Sequence, residues 1–505
     1  MRMPLDHQSA IPIYQQIEAY LRQQILSGAL AAETQLPATR ALARELGVSR
    51  ITVTNAYATL ESEGLIYSRG GSGTFVLATP TQTTQRRANA QPRWPRWQEV
   101  IAQAGAPAYE VQHAAAPAYE VQRTATRPST SHPKPIAFTG VGDPREYPIK
   151  ALLHTMQDVL QRDGVSALEY GAFDSGYAPL RTTITHVLAS QGITVHPNQV
   201  LVTAGSQQGL ALVCHLLLRP GDVVLVEKPT YNLALELFQT LGLHVVGVPT
   251  DHEGLCVDEV EPLLQTVQPK LIYTIPNFQN PTGACLSGAR RRHLIALADR
   301  YQVPLLEDDF VGDLRYDGRI QPALKTLDPG GCVIYTGTFS KMLMPGLRVG
   351  FLVAEGPVLS RLVALKRVSD LTISTLMQRT LDAYVNVGQY QRHVRRSCRL
   401  YRQRRDAMVA AIHRHLPSVL VTPPQGGLFL WLRLPAGCSC LALLPFALEA
   451  GVEFAPGTRF FPNPAEGEPY LRLNFAICTP AEIDEGLRRL AQALQALGAS
   501  GHWHP

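Results

Sequence analysis

The chain has 505 residues, more than one hydrophobic core accommodates, so two or three domains are expected. Apolar residues make up 45% and charged residues 17%, which excludes a disordered or fibrous chain; the formal net charge of +5 permits a nucleic-acid partner without arguing for one. The longest apolar runs, such as LALVCHLLL closed by Arg219, fall far short of a membrane span, so no membrane partner is expected.

The opening MRMPLDHQSA lacks the apolar stretch of a signal peptide. The eight cysteines are scattered, and the one close pair, Cys438 and Cys440, has no second pair to complete a zinc spacing. Reduced thiols, a cytoplasmic location and no metal site are the expectations.

Residues 1–79 alternate amphipathic helical patterns with turns and end in a strand-like GSGTFV. Leu36–Gly47 reads as one helix, Val48-Ser49 as a turn, and a second helix begins with Ser49 as its N-cap. Leu42, Leu46, Val48, Val53, Tyr57 and Leu60 form the apolar stripe that seats it. Arg50, Thr52 and Thr54 are left at the exposed N-terminal end, where a recognition helix meets base edges. Ile66–Tyr67 and Thr74–Val76 then read as a two-stranded wing around Arg69-Gly70-Gly71-Ser72-Gly73. The block holds six arginines and six acidic residues, so charge alone does not mark it as a DNA reader.

LPATRALARELGVSRITVTNAYATLESEGLIYSRGGSGTFV closely resembles the winged helix-turn-helix of GntR-type regulators. The resemblance implies that double-stranded promoter DNA is contacted by Arg40, Arg50 and Thr52, with Ser49, Thr54 and Gly71 as further candidates.

From 80 to 134 the composition shifts to Thr, Gln, Ala and Pro without a sustained period, which reads as a flexible linker. APAYEVQ occurs twice inside it, at 106–112 and 116–122, as a duplicated linker segment or a recognition element.

From 135 to 505, VLVTAG, VVLVEKP, HVVGVP, LIYTIPN, VPLLEDDF, VIYTGTFS and RVGFLVA are seven strand candidates separated by helical patterns. They predict an α/β domain with a mostly parallel seven-stranded sheet and ligands beyond the strands' carboxyl ends. GGLFLWLRL, GVEFAPG and YLRLNFA predict a smaller α+β C-terminal domain from about residue 370.

Chemistry-bearing residues fall at the expected ends of those strands. Lys341 lies between a strand and a Pro-Gly turn, with Thr338, Ser340 and Arg348 around it; Gly205-Ser206-Gln207 opens a helix whose free N–H groups suit a phosphate. Asp308 closes an apolar strand, Tyr231 lies in EKPTY and Asn280 in QNPTG. Pyridoxal phosphate (PLP) needs this set: a lysine for a Schiff base, a carboxylate for the ring nitrogen, phosphate donors, a flat ring to stack and a donor to the ring hydroxyl.

The block resembles class-I, fold-type-I aminotransferases over about 350 residues. That resemblance implies that Tyr170, in LEYGAFDSGY, reaches the cofactor phosphate of a second subunit, and that Arg472, in YLRLNFA, grips a substrate or effector carboxylate. One departure stands out: EDDFVGD has Phe310, and no tyrosine three residues after Asp308, where the family carries a tyrosine that bonds the ring hydroxyl.

Together the two halves resemble MocR-type regulators, a group in which a GntR-type reader is fused to such a domain. The resemblance implies a head-to-tail homodimer that responds to PLP, a small amine or an amino acid. The alternative is a working aminotransferase with an accessory DNA module, against which Phe310 speaks. The run RHVRRSCRLYRQRR, 392–405, reads as the solvated face of a long helix in preference to a DNA-tracking surface.

Overall fold

A computed structural model describes residues 3, 5, 6, 12–26, 29–31, 33–62, 65–69, 73–77, 94–103, 135–171 and 175–500. The reader domain comprises α1 (Ile13–Leu26), β1 (Gln35–Leu36), α2 (Thr39–Leu46), α3 (Arg50–Ser62), β2 (Ile66–Arg69) and β3 (Gly73–Val76). Its core is Ile17, Leu21, Leu42, Val53, Ala56, Tyr57 and Leu60, with Leu46 and Val48 half-buried against it.

The expected first helix is shorter than Leu36–Gly47. Leu36 pairs with Thr74 in a three-stranded wing, so β1 takes the residues that periodicity assigned to the helix. The helix ends at Gly47 (φ +67°), whose N–H reaches Arg44 O at 3.4 Å while Val48 N–H reaches Ala43 O at 3.0 Å. Only glycine adopts this left-handed cap at no steric cost. Ser49 caps α3, its Oγ accepting from Thr52 N–H at 3.1 Å. The reader touches the large domain where Gln15 Nε2 donates to Ala189 O (2.8 Å) and Arg319 pairs with Glu61 (3.6 Å).

The linker is not structureless throughout. Arg96–Gln103 is a helix, α4, packed on the large domain. Gln98 is fully buried: its Nε2 donates to Gly331 O at 2.9 Å and its Oε1 accepts from Val358 N–H at 3.3 Å. Trp94 fills the space at Gly356, where a Cβ would lie 2.7 Å from the indole. Eight residues in a Pro-rich stretch carry too little periodicity to announce a helix; the large domain's surface stabilises it. Both APAYEVQ copies lie outside the described residues.

In the large domain β4 (Ile136–Ala137) pairs with Val452–Glu453 of the small domain. The seven expected strands are all present: β5 (Val200–Thr203), β6 (Val223–Lys228), β7 (His244–Asp251), β9 (Leu271–Thr274), β10 (Leu305–Asp309), β11 (Val333–Thr338) and β12 (Gly350–Val353). An eighth, β8 (Gly254–Leu255), adds an antiparallel edge, giving the order β5-β12-β11-β10-β9-β6-β7-β8. β12 runs antiparallel to both neighbours. Only residues 339–349 join β11 to β12, too few for a helical crossover, so the chain must turn straight back. That forced return is the loop carrying Lys341 and Arg348.

The small domain packs a sheet of Phe429–Arg433, Tyr470–Asn474 and Ala455–Pro456 against Cys440–Glu449 and Pro480–Ala499. The arginine run lies on the helix Gln389–His415. Arg404 is buried on Asp143 (2.7 Å), Arg405 pairs with Asp317 (2.7 Å), and Arg402 and Arg396 bond Asp317 and Glu146. Four of the seven arginines are therefore held by carboxylates of this chain, as a structural role requires.

Candidate cofactor and DNA sites

Asp308 ends β10 almost fully buried. Its Oδ2 accepts from Tyr273 OH at 2.8 Å, while Oδ1 is buried with no hydrogen-bond partner. Burial raises the carboxyl to about 7, opposed by the Tyr273 hydrogen bond and by Lys341. A buried acceptor without a donor is costly, and a protonated ring nitrogen satisfies it while holding the carboxylate ionised.

Lys341 is half-buried within electrostatic reach of Asp308, Arg348 and Arg472. Burial first, then the two arginines, lower its ammonium to about 8, so a usable fraction is neutral near pH 7.

Arg348 takes a left-handed backbone (φ +48°) that turns its guanidinium onto the start of the helix Ser206–Leu217. Nη2 donates to Ala204 O at 2.6 Å and Nη1 to Ser340 Oγ at 3.4 Å. Gly205 (φ +101°) leaves room for it, since a Cβ there would sit 2.8 Å from Nη2. A guanidinium, the Ser340 hydroxyl and the free N–H groups of a helix start thus converge, a donor set suited to phosphate. Thr338 Oγ1 accepts from Ser340 N–H at 3.1 Å and shapes the same loop. Gln207 Nε2 donates to Leu233 O at 3.2 Å, and its Oε1 is buried without a partner.

Tyr231 precedes the helix Asn232–Thr240; burial and Asp308 raise its hydroxyl above the usual range. Asn280 is buried, and its Oδ1 accepts from Arg472 Nη1 at 2.8 Å. That bond orients the amide and leaves the NH2 as a donor for a ring hydroxyl. Arg472 lies over Phe429 (4.0 Å) and Phe460 (4.8 Å), and burial lowers it to about 10. Its Nε is buried and unpartnered, ready for an anionic group.

Phe310 is buried and stacks on Phe429 at 6.3 Å, and Val311 occupies the next position, so neither supplies the missing hydroxyl. Tyr170 is 65% exposed, and its backbone carbonyl accepts from Thr375 Oγ1 at 3.1 Å. Tyr273 was not singled out from the sequence; strand register brings it to Asp308, since β9 and β10 pair Tyr273 with Leu306, two residues before Asp308 on the same strand.

In the reader, Arg40 and Arg50 are exposed at the starts of α2 and α3. Ser49 Oγ and Thr52 Oγ1 share a 2.8 Å hydrogen bond, and Thr54 Oγ1 donates back to Arg50 O at 2.9 Å. Ser49 and Thr54 therefore shape the helix, and Arg50 projects beyond it. Ile51, 71% exposed beside Arg50, was missed; an apolar side chain there suits a thymine methyl. Gly71 lies outside the described residues.

Fold and site together define a fold-type-I PLP-binding domain joined to a winged helix-turn-helix reader. Comparison with known proteins is consistent at both ends: residues 139–490 match the class I and II aminotransferases, and residues 13–76 match the gntR family of bacterial regulatory proteins. The chain is 32% identical over 507 residues to the probable rhizopine catabolism regulatory protein MocR of Rhizobium meliloti, covering 98% of this chain and 97% of that one. It is 36% identical over 363 residues to aromatic-amino-acid aminotransferase 1 of Thermococcus litoralis, covering 70% of this chain and 87% of the relative. The crystal structure of the multiple substrate aminotransferase from Thermococcus profundus matches with a TM-score of 0.70 at 33% identity, over 73% of this chain and 93% of that one. The chain belongs to the MocR-type group of GntR-family regulators, with a class I and II aminotransferase domain as its larger part.

Proposed function

We propose that this regulator binds promoter DNA through α3 and responds to a small amine or amino acid held at the PLP site. The observation that carries the reading is the joining, in one chain, of a recognition helix with exposed Arg50 to a buried cofactor set that lacks the family tyrosine. When bound, PLP supplies an aldehyde open to amines and an electron-withdrawing ring. Lys341 would hold the aldehyde, Asp308 would keep the ring nitrogen protonated, and Arg348 with Ser206 and Ser340 would hold the phosphate. Tyr231 would stack on the ring, Asn280 would donate to its hydroxyl, and Arg472 would select ligands that carry a carboxylate.

A head-to-tail homodimer is part of the proposal. Val165 and Leu168 are 73% and 67% exposed, and Ile149 and Leu153 are exposed as well, on the segment that also carries Tyr170. A second copy covering that face would bury them and bring Tyr170 to the partner's phosphate. A regulator working on the chromosome would act in the cytoplasm.

An effector shifts such a molecule only by its differential affinity for two states; a 100-fold preference supplies about 2.7 kcal/mol. The test is the visible spectrum of the PLP-loaded protein during titration with amines and amino acids, read beside promoter affinity. A lasting band shift with one compound, accompanied by altered DNA affinity, supports the sensor. Stoichiometric release of an oxo acid with no change in DNA affinity would support the aminotransferase reading instead.

A further inference from the structure

Asp308 and Asp309 are successive residues of β10, so their side chains leave the strand on opposite faces. Asp308 faces the cofactor groups. Asp309 lines a separate cavity of about 200 Å³, together with Gln191, Asn277, Gly312, Asp313 and Arg315.

Asp309 is 7% exposed; its Oδ2 accepts from Tyr335 OH at 2.8 Å, and its Oδ1 is buried with no hydrogen bond of ordinary geometry, the Asn277 side chain acting on the same carboxylate more weakly than Tyr335 does. Gln191 Oε1 is a second buried acceptor without a donor, while its Nε2 donates to Asp313 Oδ1 at 2.6 Å. The other oxygen of Asp313 accepts from Tyr390 OH.

The nearby cations do not meet this need. Arg291 is spent on three backbone carbonyls and on Asn277 Oδ1 at 2.8 Å. Arg315 lies over the Phe278 ring at 4.8 Å and bonds Gln425 at 3.4 Å. Gly312 keeps the space open: a Cβ there would fall 2.5 Å from Asp309 Oδ1.

Two carboxylates and an amide oxygen thus line this space, and two of their oxygens are buried without a hydrogen bond. Among the described residues, no group of three His, Cys, Asp or Glu side chains offers a metal shell. An ammonium group carries several N–H donors and the positive charge that buried Asp309 and half-buried Asp313 call for, which neutral water does not. We propose that this cavity is a second ligand site, taking an ammonium group, inorganic or carried by a small amine, through Asp309, Asp313 and Gln191.

The test must silence the cofactor site. Borohydride reduction of the PLP-loaded protein fixes the cofactor to Lys341, so amines no longer exchange there; the cofactor absorbance verifies that step independently. The reduced protein is titrated calorimetrically with ammonium chloride, with ethylammonium chloride, and with potassium chloride as a donor-free cation of similar size. Saturable binding of one ammonium or ethylammonium per chain is expected, at least tenfold weaker in Asp309→Asn and in Gln191→Leu. Binding of ammonium alone marks an inorganic ligand, and binding of ethylammonium marks a small amine. Absence of saturable binding, equal affinity for potassium, or unchanged binding in both folded variants overturns the proposal.

Discussion

The basicity of Lys341 is set by its surroundings. Burial with Arg348 and Arg472 nearby brings the ammonium from the ordinary lysine range to about 8, and Asp308 limits the drop. Only the neutral amine attacks an aldehyde, so cofactor capture by the PLP-free protein should speed up with pH and level off above about 8. Stopped-flow mixing with PLP measures this; a rate still climbing through pH 10 would mean that the lysine keeps its ordinary basicity. Phe310 is the second diagnostic residue. In Phe310→Tyr a hydroxyl that reached the cofactor's ring oxygen would stabilise its anionic form, so the pH at which the visible band changes should fall by roughly one unit, the equivalent of about 1.4 kcal/mol. An unmoved transition would place that side chain out of reach of the ring.

At the scale of elements, the caps and the buried polar anchors decide positions. Ser49→Ala removes the acceptor for Thr52 N–H and should cost the reader about 1 kcal/mol, measurable as a lower thermal midpoint. Arg291 ties the segment bearing Asn280 to Pro322 through Nη1 (3.0 Å), and bonds Leu286 O, Pro276 O and Asn277 with its other nitrogens. Arg291→Met should destabilise the large domain by about 3 kcal/mol in urea unfolding, because four acceptors lose their donor. The strands and the glycine-capped helix-turn-helix were legible because periodicity and turn chemistry are local. The helix Arg96–Gln103 was not, since Gln98 becomes a core residue only through Gly331 and Val358, more than two hundred residues away. The wing strand Gln35–Leu36 was hidden for the same reason: its partner is Thr74–Phe75.

For the whole molecule the proposed dimer rests on a face carrying the exposed Ile149 and Leu153. Replacing both Ile149 and Leu153 with Asp should convert a dimer to monomers in sedimentation and weaken binding to paired half-sites at least tenfold, leaving single half-site binding nearly unchanged. Dimers that survive this double substitution would exclude that face as the interface. The sequence by itself determined the joining of a reader to an aminotransferase-like part and the seven strands, because each rests on a local pattern, and it singled out the cofactor candidates from motifs with a chemical task. Only the tertiary structure decided that Asp308 keeps an unpartnered oxygen beside Tyr273 and within electrostatic reach of Lys341, while its neighbour Asp309 lines a different cavity. Which buried acceptor lacks a donor depends on groups brought together from distant strands, and no local pattern encodes that sum.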